Sequence, residues 1–122
     1  MTDLDTLTQT IGDTNYQNGW HDRWFKTIHE GDPDGIRDHV VSKLALITTE
    51  VAEAIEVIRD GRKFADTWYD GDKPQGLTSE LADIVIRTLD LANMLNLDIT
   101  SMVREKTEFN ATRGHKHGGK TL

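Results

Sequence analysis

Two short acidic signatures, Glu50-Val51-Ala52-Glu53 and Glu80-Leu81-Ala82-Asp83, lie thirty residues apart, each inside an apolar pattern of helical period. A spacing of three puts both carboxylates of a pair on one side of an α-helix, because each residue turns about 100°. On that wheel Glu50 falls within the apolar arc beside Ile47 and Ala54, with Glu53 at its border. Glu80 projects close to Ile84 and Leu91, and Asp83 lies at the edge beside Arg87 and Asp90. A lone pair of this kind is usually a solvated helix face, as Glu56 is. Two pairs set into apolar arcs are different, since a buried carboxylate without a partner is costly. The chain is thereby constrained to pack two helices face to face, with four oxygen donors aimed at one point. Converging carboxylates repel one another, and a divalent cation relieves the repulsion. No helix carries Glu-x-x-His or His-Glu-x-x-His, so all-oxygen ligation by Glu50, Glu53, Glu80 and Asp83 points to Mg²⁺, with Mn²⁺ as a substitute.

The periodicity predicts helices along most of the chain. Leu4, Leu7 and Ile11 mark a weakly amphipathic segment from about Asp3 to Asn18, and Trp20 to His29 carries a short second helix with Trp24, Phe25 and Ile28. Gly31-Asp32-Pro33-Asp34-Gly35 reads as a turn. From Ile36 to Asp60 the positions Val40, Leu44, Ile47, Val51, Ile55 and Ile58 define one long stripe expected to face the core, closed by Gly61. Residues 62–76, with two glycines and Pro74, read as an irregular connection. Thr78 or Ser79 is placed to cap the next helix, whose Leu81, Ile84, Val85, Leu91 and Leu95 line one side. A last helix spans Asp98 to Asn110, capped by Asp98 or Thr100, and 113–122 is a basic, glycine-rich tail.

With 36% hydrophobic residues in 122, mostly Leu, Ile, Val and Ala, and only 7% aromatic, the composition suits an all-α chain better than a β-sandwich. One domain over 1–122 is expected, with 1–35 as an N-terminal helical segment and a four-helix-bundle-like core. Wide apolar arcs in so short a chain predict burial between subunits, as a dimer or tetramer. The absence of cysteine excludes disulfides, thiolate zinc sites and a cysteine nucleophile. A net charge of −7 argues against nucleic-acid polymers as partners. No apolar run is long enough for a membrane, and the first residues lack the features of a signal peptide, which sets the expectation of a cytoplasmic protein. The charge is uneven: Arg104, Lys106, Arg113, Lys116 and Lys120 face only Glu105 and Glu108 in the C-terminal stretch.

The arrangement Glu50-x-x-Glu53, Glu80-x-x-Asp83 followed by Ile84-Val85-Ile86-Arg87, then Lys106, Asn110, Arg113 and Lys116-His117-Gly118-Gly119-Lys120, resembles the MazG-like all-α nucleoside triphosphate pyrophosphohydrolases over roughly residues 36–120. The resemblance implies a helical oligomer that cleaves a nucleoside triphosphate between its α- and β-phosphates with Mg²⁺. It implies metal ligation by Glu50, Glu53, Glu80 and Asp83, and substrate contact by Lys106 and Asn110. Within that expectation a water attacks the α-phosphorus in line, oriented by Glu50 as the deeper carboxylate with Glu53 beside it, and pyrophosphate leaves toward Lys106, Arg113 and Lys116. Two other readings stand beside it. One is a relative confined to dUTP, dCTP or phosphoribosyl-ATP, and the other a non-enzymatic helical oligomerisation protein whose acidic clusters bind ions.

Further residues admit two readings each. Trp20 and Trp24 either pack the bundle end or stack a base, with Trp20, next to Asn18 and Gly19, the better base platform. Arg87 either pairs with Asp83 one turn away or contacts phosphate. His115 and His117 flank Lys116 in the tail, where cations can close over a polyphosphate. His21, His29 and His39 carry no readable role.

Overall fold

The computed structural model describes residues 3–114 as α1 (Leu4–Gln17), α2 (Asp22–Glu30), α3 (Pro33–Arg59), β1 (Trp68–Asp70), β2 (Lys73–Gln75), α4 (Leu77–Met94) and α5 (Ile99–Thr112). Three of the helix starts carry aspartate caps. Asp3 accepts from the Thr6 amide, Asp32 from the Asp34 amide and Asp98 from the Ser101 amide, each satisfying a donor that the first turn leaves free. The Asp32 cap corrects the five-residue turn expected at 31–35. Pro33 occupies the first helical position, where its missing N–H costs nothing, so α3 begins two residues after Gly31.

The segment 62–76 is likewise more ordered than its glycines and proline suggest. Trp68 pairs with Gln75, Tyr69 with Pro74 and Asp70 with Lys73 across a two-residue loop at Gly71-Asp72. The Arg62 guanidinium lies 4.2 Å over the Trp68 ring and fastens the hairpin to the end of α3. Neither Thr78 nor Ser79 caps α4. The helix starts at Leu77 with Gly76 as its cap residue, and the Ser79 hydroxyl instead donates to the Pro74 carbonyl at 3.0 Å. Gly76 has φ 119°, and a Cβ there would collide with the Asp66 carbonyl oxygen. Gly76→Ala is therefore expected to destabilise the protein by about 2 kcal/mol or more, read as a lower midpoint in urea unfolding. An unchanged midpoint would mean that the hairpin does not fix the start of α4.

At the centre α4 packs against both α3 and α1, and α2 packs on α3. Gly12 allows the close approach of α1, since a Cβ at that position would strike the Asn93 amide. The apolar core within one chain is small: Trp24, Ala54, Leu89 and Ala92 are the buried apolar residues among those described. The long stripe on α3 does not face it as expected. Leu44 and Ile55 are 50% and 54% exposed, Val51 and Ile58 are also exposed, and the buried residues of α3 are Glu50 and Ala54. The side of α3 that meets α4 is the one carrying Ile47, Glu50 and Ala54. Val41, Leu44, Thr48, Val51, Ile55 and Ile58, at steps of three and four, are left as an open seam.

Helix α5 has no buried residue and makes only glancing contact with the other elements; the Thr100 hydroxyl donates to Asp5 at 2.6 Å near its start. The chain exposes 9307 Å², against about 6,600 Å² expected for a compact monomer of its mass. The all-α class holds, with one small hairpin. Among the described residues no helix is long and apolar enough to cross a membrane.

Candidate metal centre

Helices α3 and α4 bring the two acidic signatures together. One carboxylate oxygen from each of Glu50, Glu80 and Asp83 lies within 4.8 Å of the others. Glu53, one turn beyond Glu50, stays exposed at the border of the cluster, where its charge acts on Glu80. Glu50 is the deepest member, 6% exposed, because it projects from the side of α3 that packs on α4.

The electrostatics are those of an under-neutralised acid cluster. Burial, followed by the charges of Glu53 and Asp83, raises the Glu80 carboxyl above its ordinary value. Burial and then the Glu50 charge raise Asp83, while Arg87 and Lys73 oppose that shift. Arg87 Nε donates to Glu50 Oε1 at 2.6 Å, so the arginine reaches across to α3. Arg87 thus pairs with Glu50 rather than with Asp83, and it also lines the cleft beside the cluster, the position that the expected phosphate contact requires. Buried Glu50 Oε2 and Glu80 Oε2 have no hydrogen-bond partner among the described residues. Orphaned buried carboxylate oxygens are rare because each loses its hydration without compensation. Two of them on members of one close all-oxygen cluster fit a hard divalent cation.

The cluster borders a cleft of about 560 Å³ whose lining includes Glu50, Glu53 and Asp83 together with Lys43, Lys73 and Arg87, and also Asn15, Trp20 and Asp90. Trp20 is 66% exposed and lines this cleft, whereas Trp24 is buried with its ring centroid 5.4 Å from that of His39, the packing role considered for it. Other expected substrate residues are not brought there. Asn18 ends α1 outside the cleft, and Asn15, one turn earlier, takes its place. Lys106 and Asn110 stand exposed on α5, and Arg113 lies 5.5 Å over the Phe109 ring on the same helix; none of the three lines the cleft of its own chain. Lys116, His115, His117 and Lys120 lie outside the described residues.

Sequence reasoning named Arg87 but missed the two lysines that also reach the cleft. Lys43 precedes Glu50 by two helical turns and shares its face, a signal open to inspection; Lys73 arrives only because the hairpin folds back toward Asp83. It also missed His21, which is buried and bonded through Nε2 to Asp90 Oδ1 at 2.9 Å across sixty-nine residues of chain. No protein-family model matches the chain, and comparison with curated proteins and with solved structures finds no match.

Proposed function

We propose that the protein is a Mg²⁺-dependent nucleoside triphosphate pyrophosphohydrolase, converting a triphosphate to its monophosphate and pyrophosphate. The observation that carries this reading is the convergence of Glu50, Glu80 and Asp83, with two orphaned oxygens, beside a cleft that also presents Lys43, Lys73 and an exposed tryptophan. Acids alone would repel a polyphosphate. Acids able to hold a cation, rimmed by lysines and ending in an aromatic face, suit a ligand with an anionic end and a flat end.

In this reading Glu50, Glu80 and Asp83 hold the cation, with Glu53 at the border. When bound, the ion supplies charge neutralisation to phosphate oxygens and acidifies water. The chain's own residues do the rest. Arg87 fixes one oxygen of Glu50 and thereby its rotamer. Because Glu50 Oε1 is so engaged, the exposed Glu53 takes over the role first given to Glu50, accepting the proton of the attacking water. The water oxygen forms a bond to the α-phosphorus as the bond to the bridging oxygen breaks, and Lys43 and Lys73 balance the charge of the departing pyrophosphate.

The proposed assembly is a dimer or dimer of dimers in which the open seam of α3 meets a second copy, completing a four-helix core from two α3–α4 pairs. Lys106, Asn110 and Arg113 then serve the substrate only through an α5 that lies against a neighbouring subunit. The non-enzymatic alternative, an ion-binding oligomerisation protein, accounts for the seam but leaves the lysine-rimmed cleft without a role. A screen of natural and modified triphosphates with Mg²⁺ separates these readings. Equal amounts of monophosphate and pyrophosphate are expected from at least one substrate, and release of orthophosphate, or of no product, would overturn the enzymatic reading. A narrow response, to dUTP, dCTP or phosphoribosyl-ATP alone, would place the protein among the selective relatives.

A further inference from the structure

Seven residues beyond Asp83, and hence about 10 Å along the same face of α4, Asp90 lines the cleft at a distance from the carboxylate cluster. Its side chain is 10% exposed and that of His21 is 4% exposed, and the two are joined at 2.9 Å. A carboxylate accepts hydrogen bonds and cannot donate them, so His21 Nε2 carries the proton and its ring holds Asp90 in one rotamer. Phe25 packs edge-on at 6.3 Å against the imidazole and fixes it in turn. The second oxygen, Asp90 Oδ2, receives no donor among the described residues. Asp90 Oδ2 therefore stays free to accept from a group bound in the cleft.

We infer that Asp90, held by His21, is the specificity-determining residue of a nucleobase subsite and selects bases that present an amino group on their pairing edge. This rests on reading the cleft as a triphosphate site. Exposed Trp20 supplies a face on which a ring can stack, and Asn15 supplies an amide able to both donate and accept. The separation along α4 matches the reach from an α-phosphate to the far edge of a base better than the shorter reach to a ribose hydroxyl. Asp90 Oδ2 accepts from an exocyclic amine, as acidic side chains accept from cytosine N4. The O4 of uracil or thymine would meet the same oxygen with its lone pairs, which excludes keto pyrimidines by repulsion as well as by a lost bond.

The test compares dCTP with dUTP, which differ in the base only at the atoms Asp90 would read. Wild-type kcat/KM is expected to favour dCTP at least about tenfold, or about 1.4 kcal/mol. Asp90→Asn keeps an acceptor for His21 and adds a donor; it is expected to bring the ratio to unity or invert it. Calorimetric titration of CMP and UMP without added metal reads the same preference independently of turnover. If triphosphates are cleaved but wild type shows no amino preference, or Asp90→Asn leaves the preference intact, the subsite is wrong and the hydrolase reading stands. A shift in the dCTP-to-CTP ratio alone would instead mean that Asp90 reads the sugar, and also overturns the inference. If no triphosphate is cleaved, the hydrolase reading fails, and CMP-over-UMP binding that Asp90→Asn abolishes still supports the subsite, while its absence ends it. Should Asp90→Asn not fold, the two wild-type preferences decide.

Discussion

Glu80→Gln is expected to cut pyrophosphate release at least about a hundredfold, the upper range for loss of the outer partners of metal ligands, while raising the melting temperature of the protein without Mg²⁺. The carboxyl it replaces is raised by burial and by the charges of Glu53 and Asp83, so its ionised form is the strained one in the folded chain. Amide replacement keeps the shape and removes the repulsion. The sign of the pH dependence follows. A carboxyl whose folded pKa lies above its unfolded value binds more protons folded than unfolded between the two, so its stabilisation is complete below the unfolded value and is lost as pH rises through the folded one. Glu80 and Asp83 both shift in this direction. Wild type without Mg²⁺ should therefore lose stability as pH climbs out of the ordinary carboxylate range, and Mg²⁺ should flatten that decline by favouring the ionised forms. Asp83→Asn should behave in the same way. Calorimetric melting from mildly acidic to neutral pH checks it; a variant with parental turnover and an unaltered Mg²⁺ response would remove Glu80 from the site.

The second large effect is expected at the open seam. Replacing Val51 and Ile55 together by arginine should convert the assembly to a single subunit of 13.8 kDa and weaken self-association at least about a hundredfold. Burial of each side chain contributes about 1.5–3 kcal/mol, so losing both exceeds the 2.8 kcal/mol or so that a hundredfold change requires. Neither residue lines the cleft, so any loss of activity in the double variant would act through assembly. Sedimentation at micromolar concentration provides the measurement. Should the parent protein already sediment as one well-folded, active subunit, the seam is an ordinary exposed face.

The carboxylates and the helices that carry them were legible because a spacing of three is a local property: Glu50 and Glu53 share a face of α3 whatever else the chain does. The stripe from Val40 to Ile58 was legible as helical for the same reason, yet its partner was not. Periodicity reports which residues avoid water and says nothing about whether their own chain or another covers them, and in the structure Leu44, Val51 and Ile55 remain open. Pro74 and two glycines hid the hairpin, since all three disfavour strand interiors; Pro74 lies in a two-stranded sheet whose strands are both edges, Gly71 in the loop, and Gly76 just beyond β2 as the cap residue of α4. The two cleft lysines were not legible because Lys43 and Lys73 meet only through folding, whereas the C-terminal cations cluster along the chain where a local reading finds them. His21 and Asp90 meet across a separation over which no local pattern operates.

Helix α5 contributes nothing to the interior of its own subunit. Fourteen residues are close to the shortest length at which a helix persists alone in water, because starting a helix costs more than its few hydrogen bonds return. Its winding is then conditional on what it lies against. In a free subunit the amides of Ile99–Thr112 should exchange with deuterated water nearly as fast as those of a short peptide, and they should slow only where a neighbour covers them. Exchange along this one helix becomes a residue-by-residue clock of assembly, readable without any knowledge of the reaction.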